Sequence, residues 1–524
     1  MLDEYTRIGH MQAADRGNAM RISPLFRILL LLIATGMLSC GCYAFIGRYG
    51  PSFYDGDQRQ YFEKLIYRSR IEADSELTYR LAPDDALRVI GADSGHKAEA
   101  LDAPLLLRFV WFSDVQLRQR EVKLFSRKIS RDLDDVISTF EHNFVQEDFD
   151  WAVYLSLIEA TNRLHRDRPL DFMIHTGDGI DAGTIEELYQ FIYISNQLTI
   201  PWLDVVGNHD IALFGNYRER LGYTRQAGVT FYPVGNLANF VWMHRKERVI
   251  SGFGRHLLPT PAEGGHAPSE DVYPNKKLPP TFHHGFDLTL GCSCSAPPPR
   301  NLDYESVSGY YAVDLCATRI PIRLIVLNSV KSDEWGAEGR ITPVQRGWLR
   351  NRLLPAGKGI NLVFVHHRPA EFDRDTRALL LGPGHAPMVL FTGHTHQHHL
   401  LRYSGPQGGG YTELNNGSVL EYPQVGRLVE LRGSPGQSVW LISRALWSSP
   451  MSLQNMPPEM EMAAALDACL AQRLEKRDIL AEAVACGHYG AYDDYLKNKA
   501  HAWGNPQPFA EAWSAANVIV PIER

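Results

Sequence analysis

Cysteine is scarce in this chain, with seven residues among 524. None of them lies beside the Asp, Asn and His residues that follow the apolar runs described below. Iron–sulfur clusters and structural cysteine-zinc sites are built from thiolates, so the sequence argues against both as the main chemistry. The pair Cys292-x-Cys294 lacks a second Cys or His pair at a usual zinc-site distance.

Strong positive charge is also absent. The 53 Lys and Arg residues against 60 Asp and Glu give a formal net charge of -7, and no basic tract is present. Nucleic-acid binders carry a basic footprint, so we expect no nucleic-acid partner. No repeat of roughly 20–50 residues indicates a solenoid. With 44% hydrophobic and 22% charged residues, the composition is typical of a globular enzyme, and the length predicts more than one domain.

Long uncharged stretches are rare, and the clearest is residues 28–47. Arg21 and Arg27 precede it, and its apolar centre ends at Ser39-Cys40, which are features of an export signal. The ending resembles a bacterial lipoprotein signal, in which Cys40 is lipidated after cleavage. The alternative is an uncleaved anchor, because a spanning helix needs ~20 apolar residues. Either interpretation predicts an exported protein whose membrane contact is its N-terminal anchor.

Five short apolar runs are separated by helix-like stretches and end in polar residues suited to metals. The runs are Leu105–Phe112, Asp171–Ile174, Trp202–Val206, Asn361–Val365 and Met388–Phe391. Runs of this length indicate buried strands. In α/β sheets, ligands bind outside the carboxyl ends of the strands. The sequence therefore predicts an α/β protein with one site at one sheet edge.

The residues after these runs supply carboxylate, amide and imidazole ligands. They are Asp114, Gln116, Asp178, Asp181, Asn208, His209, Asp210, His366, His367, His394 and His396. Such ligands suit Mn, Fe, Zn or Mg, and a pair of such ions activates water for in-line displacement at phosphorus. Gly179 makes a bridging role for Asp178 sterically feasible, and Asn208 offers a neutral oxygen. His209 is the natural proton donor to the leaving group, with Asp210 holding its ring.

The series of motifs resembles the calcineurin-like metallophosphoesterase superfamily over roughly residues 101–445. The motifs are Asp114-x-Gln116, Gly177-Asp178-x-x-Asp181, Gly207-Asn208-His209-Asp210, His366-His367 and Gly393-His394-x-His396. The resemblance implies a four-layer α/β/β/α sandwich of two mixed sheets. It also implies a metal-dependent hydrolase of phosphate esters that uses hydroxide activated by two metals and a histidine acid. The predicted membrane tether favours phosphodiesters among the family's substrates.

The resemblance assigns a role to each residue. Asp114, Gln116, Asp178 and His396 would bind the first metal. Asp178, Asn208, His394 and His366 would bind the second, with His367 as the fallback for His366. His209 would be the acid, and Asp181 would orient a ligand without touching metal.

Position 116 departs from the family pattern, which usually has histidine there. The amide oxygen of Gln116 is a weaker donor for Zn or Fe than an imidazole, so Mn is the favoured metal. Two other functions stay open. One is a degenerate metal-binding or recognition protein on the same fold, and the other is a serine/threonine protein phosphatase.

The remaining sequence predicts the domain organisation. Residues 48–100 link the anchor to the phosphoesterase domain, 101–450, which carries a turn-rich insertion at about 211–320, and 451–524 form a C-terminal helical extension. Within the domain, Arg323–Leu327 reads as a strand, and 411–442 as antiparallel strands closing a second sheet.

Two local patterns add detail. Thr342 can cap a helix beginning at Pro343, with Val344 and Trp348, then Leu349 and Leu353, facing the core. In the extension, Leu466, Leu470 and Leu474 share one helix face.

Cysteine pairing is partly readable. Cys469 and Cys486 lie in neighbouring helix-like stretches and can be bridged in an oxidising compartment. Cys292 or Cys294 can pair with Cys316. Unpaired buried thiols remain the alternative, because spacing alone does not decide.

Overall fold

The fold is described by a computed structural model. All described residues lie in one compact unit, Asp57–Arg524. The structure describes residues 64–67, 69, 78–118, 149–181, 185–200, 202–210, 224–226, 229–231, 287–290, 310–315, 318–330, 337–448, 467–469, 480–498 and 507–522.

The described strands form two large mixed sheets and one small hairpin. In chain order they are β1 (Tyr79–Leu81), β2 (Arg88–Val89), β3 (Leu105–Phe112), β4 (Phe172–His175), β5 (Trp202–Asp204), β6 (Thr224–Gln226), β7 (Val229–Phe231), β8 (Asp287–Leu290), β9 (Tyr311–Leu315), β10 (Ile322–Val326), β11 (Ile360–Phe364), β12 (Met388–Thr392), β13 (His399–Ser404), β14 (Gly410–Asn415), β15 (Gly426–Gly433), β16 (Val439–Ser448) and β17 (Val518–Ile522).

The two large sheets place the predicted ligand-bearing strands side by side. The first has the order β2-β17-β16-β15-β3-β4-β5, with β1 paired to β16, and the second has the order β13-β14-β12-β11-β10-β9-β8. Strands β3, β4 and β5 are parallel, as are β10, β11, β12 and β14. Parallel strands end at one edge, so the polar segments after them are gathered there. All five predicted core strands and the strand predicted at 323–327 are confirmed, with bounds shifted by two residues at most.

The sheets pack face to face through aromatic side chains. Phe109 of β3 makes edge contacts with Phe364 of β11 and Phe391 of β12, at ring-centroid distances of 5.8 and 5.6 Å. Trp111 contacts Phe391 in the same way at 5.0 Å. Such edge-to-face pairs add to the burial of their large apolar area. These rings form the layer between the two sheets.

Helices cover the outer faces. They are α1 (His96–Asp102), α2 (Asp150–Asp167), α3 (Ile185–Ser195), α4 (Pro343–Arg352), α5 (Arg374–Leu380), α6 (Leu480–Asn498) and α7 (Phe509–Ala516). Leu349 of α4 and Leu380 of α5 join Val363 and Leu390 of the second sheet in one buried cluster. Helix α2 contacts α3 and β16 of the first sheet. The predicted four-layer α/β/β/α class is therefore confirmed.

Helix α4 begins as predicted. The hydroxyl of Thr342 accepts the backbone N–H of Gln345, and Pro343 occupies the first turn. Leu349 and Leu353 are buried, but Val344 is 75% exposed, so the prediction that it faces the core is wrong. Gln345 takes the inward place and exchanges two hydrogen bonds with the backbone of Asn328. A capping turn directs its side chains by its own geometry, which a four-residue spacing does not include.

Strand pairing joins distant parts of the chain, and four assignments made from the sequence differ from the structure. Strands β8 and β9 lie inside the predicted insertion but pair in the second sheet. Strands β15 and β16 were predicted to close the second sheet, but β15 pairs with β3 in the first. The last described residues form strand β17 rather than helix. Part of the predicted linker 48–100 also joins the first sheet, through β1 and β2.

Of the two alternatives left open for Cys469 and Cys486, the structure has the disulfide, with an S–S distance of 1.99 Å. It closes a loop of sequence separation 17. Reduction is expected to lower the free energy of unfolding by about 3 kcal/mol, because the cross-link restricts the unfolded chain. Urea unfolding with and without reductant measures the shift, and Cys469→Ser should be insensitive to reductant. An unchanged midpoint in the reduced wild type would contradict this expectation.

Several predictions fall outside the described residues. They concern residues 1–47 with Cys40, the cysteines Cys292, Cys294 and Cys316, and the leucines Leu466, Leu470 and Leu474. Among the described helices, none combines the length and apolar character that crossing a bilayer requires.

Candidate metal centre

Five of the seven predicted metal ligands share an unusual backbone conformation. Asp114, Gln116, Asp178, His394 and His396 have positive φ angles of 51, 45, 57, 69 and 54°. Outside glycine, Gln424 is the other described residue in this region. Left-handed backbone is disfavoured for L side chains by roughly 1–3 kcal/mol each and clusters at functional sites. The chain thus turns sharply after β3, β4 and β12, and these turns bring the ligand side chains close together.

One half of the site is built around His366. Its Nε2 lies 3.1 Å from Oδ2 of Asp178 and 3.0 Å from Oδ1 of Asn208. Its Nδ1 donates to the carbonyl oxygen of Thr176 at 2.8 Å. All three side chains are buried. A histidine whose second nitrogen is fixed by a carbonyl is the usual form of a metal ligand.

The other half is built around His396. Its Nε2 lies 3.3 Å from Oδ1 of Asp114 and 3.3 Å from the amide nitrogen of Gln116. Turning the amide by 180° leaves its shape unchanged and presents its oxygen instead. On the far side of the ring, Nδ1 donates to Glu421 at 2.6 Å. This carboxylate–histidine arrangement is the one that orients metal-bound imidazoles.

Close backbone approach explains two motif glycines. A Cβ at Gly207 would lie 2.1 Å from Oδ1 of Asp178, and one at Gly393 would lie 2.6 Å from Oδ2 of Asp114. Both contacts are far below van der Waals distance. These positions therefore have to be glycine for the two carboxylates to reach the centre.

The donor set fits divalent cations. Ligand atoms of Asp114, Asp178 and His366 lie within 4.8 Å of one another, and so do those of His366, His367 and His394. Donors that share one ion at about 2.1 Å are spaced on this scale. A cation would also neutralise two carboxylates that are almost inaccessible to solvent.

Protonated histidines balance these carboxylates in the metal-free chain. Burial alone would raise the pKa of Asp114, but His396 and His366 outweigh it and hold that pKa below its ordinary value. The same competition, with His366 and His209 as partners, lowers the pKa of Asp178. Burial alone would lower the pKa of His366, yet Asp178 raises it to about 9. Metal ligation requires neutral imidazole, so a cation would replace these protons.

His394 and His367 pack beside this centre. Their ring centroids are 4.4 Å apart, and the backbone N–H of His394 donates to both oxygens of Asp114 at 3.2 and 3.1 Å. Burial, followed by the charge of His366, lowers the pKa of His394 to about 4, which favours the neutral ring. Both nitrogens of His367 are engaged, with Ser329 at 2.8 Å and the carbonyl of Ala337 at 2.7 Å. His367 therefore supports the ring of His394, and His366 is the one that faces Asp178.

His209 is held by Asp181 rather than by Asp210. Its Nδ1 lies 2.9 Å from the carbonyl oxygen and 3.1 Å from Oδ1 of Asp181, while Nε2 points toward Asp178 at 3.9 Å. Burial would lower the pKa of His209, but Asp178 and Asp181 raise it. The ring is thus oriented with Nε2 toward the centre.

The prediction that Asp210 holds this ring is wrong. Its carboxylate accepts backbone N–H groups from four residues at 2.7–3.2 Å, and they are Gly207, Asp178, Gly179 and Ile180. Although Asp210 is next to His209 in sequence, its short side chain points toward the backbone of the loops that carry Asp178 and Asn208. Asp210 therefore stabilises the loop on which Asp178 stands.

Sequence reasoning missed two supports of the first half. Glu421 lies 25 residues after His396 in a loop, and no motif or spacing points to it. Ser418 donates its hydroxyl to the carbonyl oxygen of Asp114 at 2.7 Å. His175 at the end of β4 is a buried strand residue outside the ligand set, and its Nδ1 lies 3.1 Å from Oδ1 of Asp204.

Comparison with known proteins agrees with this geometry. Residues 107–318 match the model of the calcineurin-like phosphoesterase family. This match confirms the resemblance seen in the motifs and supports a metal-dependent hydrolase of phosphate esters. The matched family implies a dinuclear divalent metal centre. The match ends before His366, His394 and His396, which the fold brings to the same centre. No curated protein matches the chain.

Similar solved structures include three hydrolases. A dimetal phosphatase from Danio rerio is 12% identical with a TM-score of 0.34, over 66% of this chain and 100% of that chain. A putative 5'-nucleotidase from Staphylococcus aureus is 11% identical with a TM-score of 0.32, over 70% and 58%. A sulfate thiohydrolase from Thermus thermophilus is 10% identical with a TM-score of 0.31, over 71% and 61%. This chain spans less than two thirds of the last two.

Proposed function

We propose that this chain, whose residues 107–318 form part of a calcineurin-like phosphoesterase domain, is an exported phosphodiesterase that uses two divalent metals. The observation that carries the proposal is the convergence of both halves of the site. Asp178 lies between His366 and His209, and Asp114 lies between His394 and His396. Two buried carboxylates are thus brought to the edge where the strands end. A storage site has no need of an oriented proton donor.

The residues divide the work of hydrolysis. When bound, two metals supply an activated water and neutralise charge on the phosphoryl oxygens. Asp114, Gln116 and His396 would hold one ion, Asn208 and His366 the other. His394 would complete the second set, and Asp178 would serve both. His209 would donate the proton on Nε2 to the leaving oxygen while Asp181 keeps Nδ1 engaged.

Charge supports a diester as the substrate. Dianionic phosphate groups are commonly clamped by arginine or lysine. Arg118, two residues after Gln116, lies 3.5 Å from Asp181, and Arg368, two residues after His366, lies 2.8 Å from Glu413. The arginines that follow the ligand motifs are thus already engaged with carboxylates. A phosphodiester carries one negative charge and makes a smaller demand for such a clamp.

Two further parts of the proposal rest on chemistry outside the geometry. Mn is the preferred metal, because an amide oxygen at Gln116 suits a hard cation better than Zn. Export to an oxidising compartment is supported by the disulfide Cys469–Cys486. A membrane tether at the N-terminus is supported by the uncharged stretch 28–47. A lipid or envelope phosphodiester is then within reach of the site.

The experiment is a metal-reconstitution assay. Residues 48–524 are stripped of metal, reloaded with Mn, Zn or Mg, and assayed on an aryl phosphomonoester and an aryl phosphodiester. We expect turnover to return with metal, to be highest with Mn, and to favour the diester. A preference for the monoester would overturn the diester proposal. Tight metal binding without turnover on either ester would instead support a degenerate metal-binding protein.

A further inference from the structure

We propose that the C-terminal extension is a positioning element for His396, acting on Glu421 through Tyr422 and Gln424 and on the backbone of His398 through Gln507. The inference rests on the proposed function, because it assigns His396 to the first metal. The extension is defined here as α6, α7 and Gln507, which stands just before α7. It contacts the chain at two places near His396. One is the turn that carries Glu421, and the other is the segment that follows His396 out of the metal centre.

The turn at residues 420–424 sets where Glu421 stands. The backbone N–H of Gln424 donates to the carbonyl oxygen of Glu421 at 2.7 Å, and its side-chain amide donates to that of Leu420 at 2.9 Å. Gln424 is buried and has a φ of 53°, so the turn depends on a disfavoured backbone state. The side chain of Glu421 is itself 46% exposed. Holding an exposed carboxylate in one geometry costs side-chain entropy, which a rigid turn reduces.

One face of helix α6 lies against this turn. His488, Tyr492 and Tyr495 are spaced by four and three residues, which places them on the same side of a helix. Because the amide nitrogen of Gln424 faces Leu420, its oxygen accepts from Nδ1 of His488, at 2.5 Å. Burial lowers the pKa of His488 to about 4, so the ring is neutral and this contact is an ordinary hydrogen bond.

The ring of Tyr422 is enclosed by the extension. Tyr492 and Tyr495 lie at centroid distances of 5.0 and 4.9 Å, and Phe509 of α7 lies at 5.9 Å. Aromatic pairs at these distances stabilise a contact beyond the effect of the area they bury. Tyr422 is the residue next to Glu421, so this enclosure fixes the backbone from which the carboxylate reaches His396.

The extension makes a second contact with the chain two residues after His396. Gln507 accepts the backbone N–H of His398 at 2.8 Å and donates to the carbonyl oxygen of the same residue at 2.6 Å. This is the pairing that a neighbouring strand would make. The extension therefore holds the segment two residues beyond the imidazole and the turn that binds its far nitrogen. No contact of this kind reaches His366 or Asn208 among those described, so the effect belongs to one of the two metals.

The test measures binding of Mn²⁺ to the full chain by competition with a fluorescent chelator, which resolves two sites without any substrate. Glu421→Gln is expected to weaken one site by about 10–100-fold. Tyr492→Leu should weaken the same site by up to about tenfold, since it acts through Glu421. Tyr492→Phe keeps the ring and should restore wild-type affinity. Tyr489→Leu is the matched control, on the same helix but without a ring contact to Tyr422.

The outcomes separate this inference from the proposed function. If Glu421→Gln weakens one site and Tyr492→Leu leaves both at wild-type affinity, the inference is overturned and the metal centre stands. Equal weakening of both sites by Tyr492→Leu would show a general structural effect and would also overturn it. A wild-type chain that binds no Mn²⁺ would reject the proposed function itself. Should Tyr492→Leu fail to fold, Gln507→Ala carries the same test through the second contact.

Discussion

Asp178→Asn is expected to reduce Mn²⁺-supported hydrolysis of an aryl phosphodiester by at least about a thousandfold, which corresponds to roughly 4 kcal/mol of transition-state stabilisation. The substitution keeps the shape of the side chain but removes the charge that both metals would share. The backbone N–H of His209 donates to Oδ1 of Asp178 at 2.8 Å, and an amide oxygen can still accept it. The turn should therefore survive while metal affinity falls. Initial rates and Mn²⁺ binding, measured on the same preparation, give both quantities.

Asp204→Asn is the matched control. Asp204 is also a buried carboxyl at the end of a first-sheet strand, but it pairs with His175. Burial raises its pKa well above the ordinary value, which favours the neutral carboxyl that asparagine resembles. We expect activity near that of the wild type. Equal losses in both variants would mean that any change among these buried carboxyls disturbs the fold, and the special role of Asp178 would be contradicted.

The strands and the ligand motifs were predictable from local sequence. β3 coincides with the predicted Leu105–Phe112, because six of its eight residues are buried and Arg108 is the one residue that interrupts the apolar run. The pairing of β15 with β3 was not predictable, since it joins residues more than 300 positions apart. Alternating polarity shows that a segment is a strand but not which sheet it joins. For this reason β15 and β16 were predicted in the second sheet although they belong to the first.

The supports of the site were less predictable than its ligands. Asp210 is next to His209 in sequence, whereas Asp181 is 28 positions away and nevertheless contacts its ring. Only the fold shows that the carboxylate of Asp210 accepts from four backbone amides instead. Glu421 reaches His396 from a loop with no metal-binding pattern. The left-handed turns at the ligands likewise leave no signal at non-glycine residues such as Asp114. Ligand identity is thus local information, whereas ligand orientation is set by tertiary contacts.

His209→Ala should lower kcat by about 100–10,000-fold on an alkyl ester, because the departing alkoxide is strongly basic and needs a proton. On a 4-nitrophenyl ester the loss should be much smaller, since that phenolate leaves without protonation. The readout is the ratio of the two losses, measured with saturating Mn²⁺. A loss in metal affinity alone would reduce both rates equally and leave the ratio unchanged. An equal loss on both esters would contradict the assignment of His209 as the acid.

The same ratio separates Asp181 from Asp210. Asp181→Asn removes the charge beside Nδ1 of His209 but leaves the backbone carbonyl, which accepts at 2.9 Å. We therefore expect the leaving-group ratio to move in the direction of His209→Ala by a smaller factor, with little change in thermal stability.

Asp210→Asn should instead lower thermal stability and leave the leaving-group ratio unchanged. Its two oxygens accept from four amides, and one would become a donor facing them. Each buried donor left unsatisfied costs about 1–3 kcal/mol. A lowered unfolding midpoint with an unchanged leaving-group ratio is the expected result, and the opposite pair of results would restore Asp210 as the residue that holds the acid.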